Sequence, residues 1–93
     1  MEKEINVIIT TSHRGVWFVT VPYGTDLSGR SLSNLPYCRM AINWNTTRGL
    51  QELCVDGPNS GSRISPPSRI RVLHDVTAVF DVTKKAAEVW KQI

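Results

Sequence analysis

The sequence predicts an α+β domain. A mainly antiparallel sheet of four to five strands carries a short middle helix and a C-terminal amphipathic helix. Three observations predict it. Residues 16–22 are the densest run of β-formers, apolar except for Thr20 and closed by Pro22. Residues 4–11 alternate, with Ile5, Val7 and Ile9 on one face and Asn6, Ile8 and Thr10 on the other, which is the pattern of a half-buried strand. Ala86, Val89, Trp90 and Ile93 recur at i, i+3, i+4 and i+7 after Thr83, a good N-cap.

The elements follow in chain order. Residues 11–15 form a loop short enough to demand an antiparallel pair, and Gly15 lets the backbone turn. Residues 23–34, with Gly24, Asp26, Gly29 and three serines, read as a loop holding a short strand near 30–33. After Pro36 a third strand covers 37–44. Cys38, Met40, Ile42 and Trp44 lie on one side of it, and a polar stripe led by Arg39 and Asn43 lies on the other. Asn45, Thr46 or Thr47 caps a short helix near 47–55, which Gly49 weakens and Asp56-Gly57-Pro58 stops; a strand over 50–55 is the alternative. Residues 59–69 are the loosest part, and Pro66-Pro67 exclude helix there. Ile64 anchors a short strand or pins this loop to the core. Ile70, Val72 and Leu73 lead to a turn at His74-Asp75. A clear strand over 76–82 then turns Val76, Ala78, Phe80 and Val82 to the core. In the final helix Trp90 is the anchor. The helices cover one face of the sheet. Ile8, Val19 and Val79 leave the other face apolar, which predicts a second subunit.

Ninety-three residues make one domain, 1–93, with a core small enough for self-association to help it. No run approaches the ~18 apolar residues of a membrane span, and Met1-Glu2-Lys3-Glu4 is no signal peptide, so the expected location is the cytoplasm. Cys38 and Cys54 fit neither a disulfide scaffold nor a zinc site and read as small buried hydrophobes.

The net charge of +3 is modest, but its distribution is informative. Between His13 and Val72 every cation is an arginine: Arg14, Arg30, Arg39, Arg48, Arg63, Arg69 and Arg71. The lysines, Lys3, Lys84, Lys85 and Lys91, lie near the ends of the chain. Arginine is favoured where planar, bidentate anions are gripped.

Catalysis finds no support in the spacing. His13 and His74 stand apart, no metal or nucleophile motif occurs, and the carboxylates sit singly, so the protein is expected to be non-enzymatic and to need no cofactor or metal. Anion binding fares better. Gly57-Pro58-Asn59-Ser60-Gly61-Ser62-Arg63 supplies glycines, hydroxyls and one arginine, the composition of a backbone nest for phosphate. Trp44-Asn45-Thr46-Thr47-Arg48 adds a ring on which a base stacks, an amide and a cation. Duplex DNA is not expected, because no helix-turn-helix or long basic helix is present.

His13-Arg14-Gly15-Val16-Trp17, Asn43-Trp44, Arg48-Gly49-Leu50, Gly57-Pro58 and residues 76–80 resemble a family of small phage and prophage proteins catalogued as a domain of unknown function. Ala86, Ala87 and Trp90 match that family's final helix. The resemblance spans nearly the whole chain. It implies a phage-encoded accessory protein, and it implies no activity. Such proteins often counter host defence, either by sequestering a cyclic-nucleotide or ADP-ribose signal in an oligomeric sponge or by masking a defence complex. The leading expectation is therefore a homo-oligomeric binder of a small phosphorylated nucleotide. Arg14, Arg48 and Arg63 grip phosphates, Trp17 or Trp44 stacks the base, and Asn45, Ser60 and Ser62 donate hydrogen bonds. A protein inhibitor of a host defence complex and a single-stranded nucleic-acid binder are the alternatives.

Overall fold

The structure, a computed structural model, describes residues 3–44, 49–59 and 61–93, and of Arg14 the backbone alone. It shows an α+β fold: strands β1 (Glu4–Thr11), β2 (Gly15–Pro22) and β3 (Leu32–Asn43), helix α1 (Gln51–Val55), strands β4 (Arg63–Ile64), β5 (Ser68–Leu73) and β6 (Val76–Asp81), and helix α2 (Lys84–Gln92). All pairings are antiparallel. The sheet has six strands, one more than the upper expectation. The order is β4-β3-β2-β1-β6, with β5 also on β3. The β1–β2 hairpin is in continuous register from Glu4 opposite Pro22 to Thr11 opposite Gly15.

The turn between β1 and β2 corrects the role assigned to Gly15. Its φ of −68° suits any residue, and the left-handed position is His13, at φ 63° and ψ 29°. Glycine is favoured at 15 for space, because a Cβ there would run into Thr11 Oγ1 and lie 3.1 Å from Trp17 Nε1.

β3 is longer than expected and runs through Pro36. Pairing with β2 begins only at Tyr37, and the ladder to β5 shifts register between Leu35 and Cys38. The prolyl nitrogen thus falls where the ladder is interrupted, the setting in which a strand tolerates proline. β4 and β5 both pair with β3, so Arg63, Ile64, Ser68 and Arg69 of the loop expected at 59–69 are strand.

β5 and β6 follow each other across His74 and Asp75, yet they pair with β3 and β1. The sheet must therefore curl until its outer strands meet at that turn, where Asp75 takes φ 60°. Ser12 N–H donates to Asp75 O (3.1 Å) and Val76 N–H to Arg30 O (2.9 Å), which hold the turn in place. Curling encloses one apolar cluster on the concave side: Val7, Ile9, Val19, Val21, Leu32, Leu35, Cys38 and Leu73. A second cluster lies under the helices, built on Ile8, Phe18, Leu53, Ala86 and Trp90.

The second face is thus not left for another subunit. Val19 is fully buried by β3, β5 and their neighbours, Val79 packs against the same cluster, and Ile8 lies on the helix side. Val76 also belongs to the concave cluster, whereas Phe80 and Val82 pack under the helices; the bulge opposite Thr10 and Thr11 divides them.

The helices depend on each other. Thr83 Oγ1 accepts from Ala86 N–H (3.1 Å) as the N-cap of α2 and donates to Val55 O (2.7 Å) at the end of α1. Trp90 stacks on Phe18 with centroids 5.2 Å apart and planes 7° apart, and its indole N–H donates to Leu53 O at 3.1 Å. α1 starts at Gln51, not near 47, because Gly49 adopts φ +86° and cannot continue a right-handed helix. The cap expected at Asn45, Thr46 or Thr47 lies outside the described residues. Among the described residues no helix is long and apolar enough to cross a membrane.

Candidate functional site

Register places three predicted pieces at one end of the sheet. Thr11 faces Gly15 across the β1–β2 turn, Trp17 faces Met40, and Asn43 faces Arg63. The Ser12–Arg14 turn, the end of β3 with Trp44, and the start of β4 with Arg63 therefore share that end. Between the first two lies an open groove of about 640 Å³. Val16, Ala41 and Leu50 contribute apolar surface to it, and Trp44, half-buried, forms one wall. Thr11, His13 and Asn43 supply hydroxyl, imidazole and amide groups, and Thr10 lines the groove with a hydroxyl that also bonds Thr77 Oγ1 (2.7 Å). A ring facing a few convergent polar groups is the composition of a small-molecule site.

Trp17 is not part of it. Its neighbour in the alternation, Val16, lines the groove, while Trp17 packs against the concave cluster on the opposite face. Its Nε1 is buried without a hydrogen-bond partner among the described residues. Arg14 belongs to the turn by its backbone. Asn45, Arg48 and Ser60 lie outside the described residues. Arg63 is exposed on β4.

The glycine-serine loop is organised differently from a phosphate nest. Gly57 and Pro58 are buried, and a Cβ on Gly57 would stand 2.8 Å from Val89 Cβ. Asn59 Oδ1 accepts from Gly61 N–H (3.0 Å) and from Ser62 Oγ (3.2 Å), and Ser62 N–H donates to Asn59 O (3.1 Å). Two of the amides that a nest would aim at an anion, those of Gly61 and Ser62, are turned onto Asn59 instead.

Arg39 also departs from the expected solvent stripe. It is buried, and its guanidinium donates to three backbone carbonyls: Ser65 O from Nε at 2.9 Å, and Trp90 O and Ile93 O from the two terminal nitrogens. It serves the end of α2.

Sequence reasoning treated His13 as a plain turn residue and passed over Thr10, Thr11 and Asn43. His13 had an available signal, the lack of any glycine or asparagine able to take the left-handed position before Gly15. The hydroxyls had none, because their convergence depends on the β3 crossing.

Other chemistry is sparse. Burial pushes the Cys38 thiol up to about 11 and raises that of Cys54, so both stay protonated near neutrality and neither offers a thiolate. The Ser28 hydroxyl, and then its backbone N–H, hold the Asp26 carboxyl below its ordinary value. No group of three or more His, Cys, Asp or Glu side chains converges on a metal position among the described residues. A groove of about 560 Å³ between α2 and the β1–β6 edge mixes Glu4, Asp81 and Glu88 with Lys84 and Lys91, so its charges favour neither sign of ligand.

Comparison with protein families finds a match over residues 4–90 to a domain of unknown function, DUF6948. The chain belongs to that family. The matched span takes in every strand and almost all of α2, so the groove lies inside the family's domain. No curated protein and no solved structure matches the chain.

Proposed function

We propose that the groove at the β1–β2 turn binds a small phosphorylated nucleotide, such as a cyclic nucleotide or an ADP-ribose derivative, and that the protein holds this ligand without transforming it. The observation that carries this reading is Trp44. It walls an open groove whose other sides are apolar surface, hydroxyls, an amide and an imidazole, at the sheet end that bears Arg14 and Arg63. A base stacks on the indole, worth roughly 1–3 kcal/mol. The ribose and base edge meet Thr10, Thr11 and Asn43, and phosphates turn towards the arginines. The Gly61 and Ser62 amides take no part, since Asn59 occupies them. In a phage setting such a binder would act in the host cytoplasm by withdrawing a defence signal.

Isothermal titration against cyclic dinucleotides and cyclic ADP-ribose isomers tests the proposal. One member of the panel should bind stoichiometrically, and Arg63→Ala should weaken it several-fold. The absence of heat with every member would sink the reading.

A further inference from the structure

The two outer strands of the curled sheet are finished differently. β6 is partly covered: loop residues 27–30 lie against residues 76–79, and Val76 N–H is taken by Arg30 O. Among the described residues β5 is hydrogen-bonded in the sheet to β3 alone, so its other edge carries backbone donors and acceptors with no strand partner. Natural edges are blunted by short length, proline or inward-pointing charge. β4 has the first two, with two residues followed by Pro66-Pro67. β5 has six residues and no proline.

The charge on this strand is one-sided. Residues 57–74 contain Arg63, Arg69 and Arg71 and no carboxylate. Arg69 and Arg71 are exposed and two residues apart, hence on the same face, and neither has an ion-pair or hydrogen-bond partner among the described residues. Ile70 and Leu73 turn inward to the concave cluster. Val72 is 45% exposed on the face opposite the arginines.

The geometry points to β5 as a docking edge for an extended acidic segment of a partner protein, which adds itself as a further strand. Its backbone would pair with the free edge, and acidic side chains at alternate positions would stand beside Arg69 and Arg71. A second copy of β5 is disfavoured there, since antiparallel pairing of identical edges sets arginine against arginine. Single-stranded nucleic acid fits less well, because β5 carries no aromatic side chain for a base to stack on.

Fluorescence anisotropy on the full chain decides it. The probe is a fluorescein-labelled peptide, Thr-Glu-Val-Glu-Thr-Glu-Val-Glu, alongside its fully N-methylated form and labelled oligo-dT of eight nucleotides. The peptide should bind. Binding should weaken at least tenfold on N-methylation and at least tenfold in Arg69→Glu/Arg71→Glu, whose circular dichroism should match the parent. Equal affinity for the N-methylated peptide would reduce the contact to charge attraction and overturn strand addition. Binding of the oligonucleotide in preference to the peptide, or of neither, would overturn the assignment.

Discussion

Gly57 stands where the turn after α1 runs against α2, at φ +82° and with Val89 and the Ala86 carbonyl closing the space a side chain would need. Two costs therefore combine on Gly57→Ala. The left-handed backbone costs about 1 kcal/mol, and the forced contact with Val89 adds about 1–3 kcal/mol, as overpacking does. Urea denaturation should show a loss of about 2–4 kcal/mol. Gly61→Ala, in the same loop but exposed and without a positive φ, should stay within about 0.5 kcal/mol of the parent. The pair separates a packing glycine from an exposed one, which composition alone does not do. Both look alike in a glycine-serine run, and that is why the run reads as a phosphate loop in the sequence.

At the level of the element, α2 ends on Arg39. The guanidinium fork spans Trp90 O and Ile93 O with Nε on Ser65 O, so one side chain of β3 fastens the helix end and the segment after β4. A cation at a helix C-terminus also complements the helix dipole. Arg39→Met removes the donors and leaves the buried Trp90 carbonyl and two part-buried ones bare, a loss of about 3 kcal/mol. Arg39→Lys keeps the charge without the fork and should recover only part of it. Hydrogen exchange should speed up in the last turn of α2 in both variants while β1 and β2 stay protected; unchanged exchange there would remove Arg39 from this role. The start and the anchor of α2 were legible in the sequence, because Thr83, Ala86 and Trp90 act within a few residues of one another; Ile93, expected on the same buried face, lies past the helix and is 48% exposed. The role of Arg39 was not, because its partners lie 26 to 54 residues away. β5 was equally hidden: a short run behind two prolines becomes a strand only once β3 is beside it.

For the whole molecule, the curl of the sheet sets what each face is for. A flat sheet with helices on one side would leave Val19 and Val79 bare. Instead β3 and β5 cover them, and the large apolar side chains still exposed, Tyr23, Ile42, Val55, Val72 and Ile93, come from separate parts of the chain. The same curl divides the tryptophans: Trp17 packs on the concave side, while Trp44 and Trp90 pack against the cluster under the helices, Trp44 at its margin where it also lines the groove. The sequence, with its strand periods intact, does not separate the first two, since each lies beside a polar turn at one end of a strand. Ligand-induced quenching of tryptophan fluorescence does separate them. Once a nucleotide is found by titration, its quench should persist in Trp17→Phe, with affinity within about twofold, because that ring does not reach the groove. Stability there should change by less than about 1 kcal/mol, since losing ring volume is offset by removing a buried N–H that has no partner. Trp44→Leu should abolish the quench and weaken binding about tenfold or more, the worth of one stacked base. A quench that vanished in Trp17→Phe and survived in Trp44→Leu would move the ligand to the concave side and the functional groove with it.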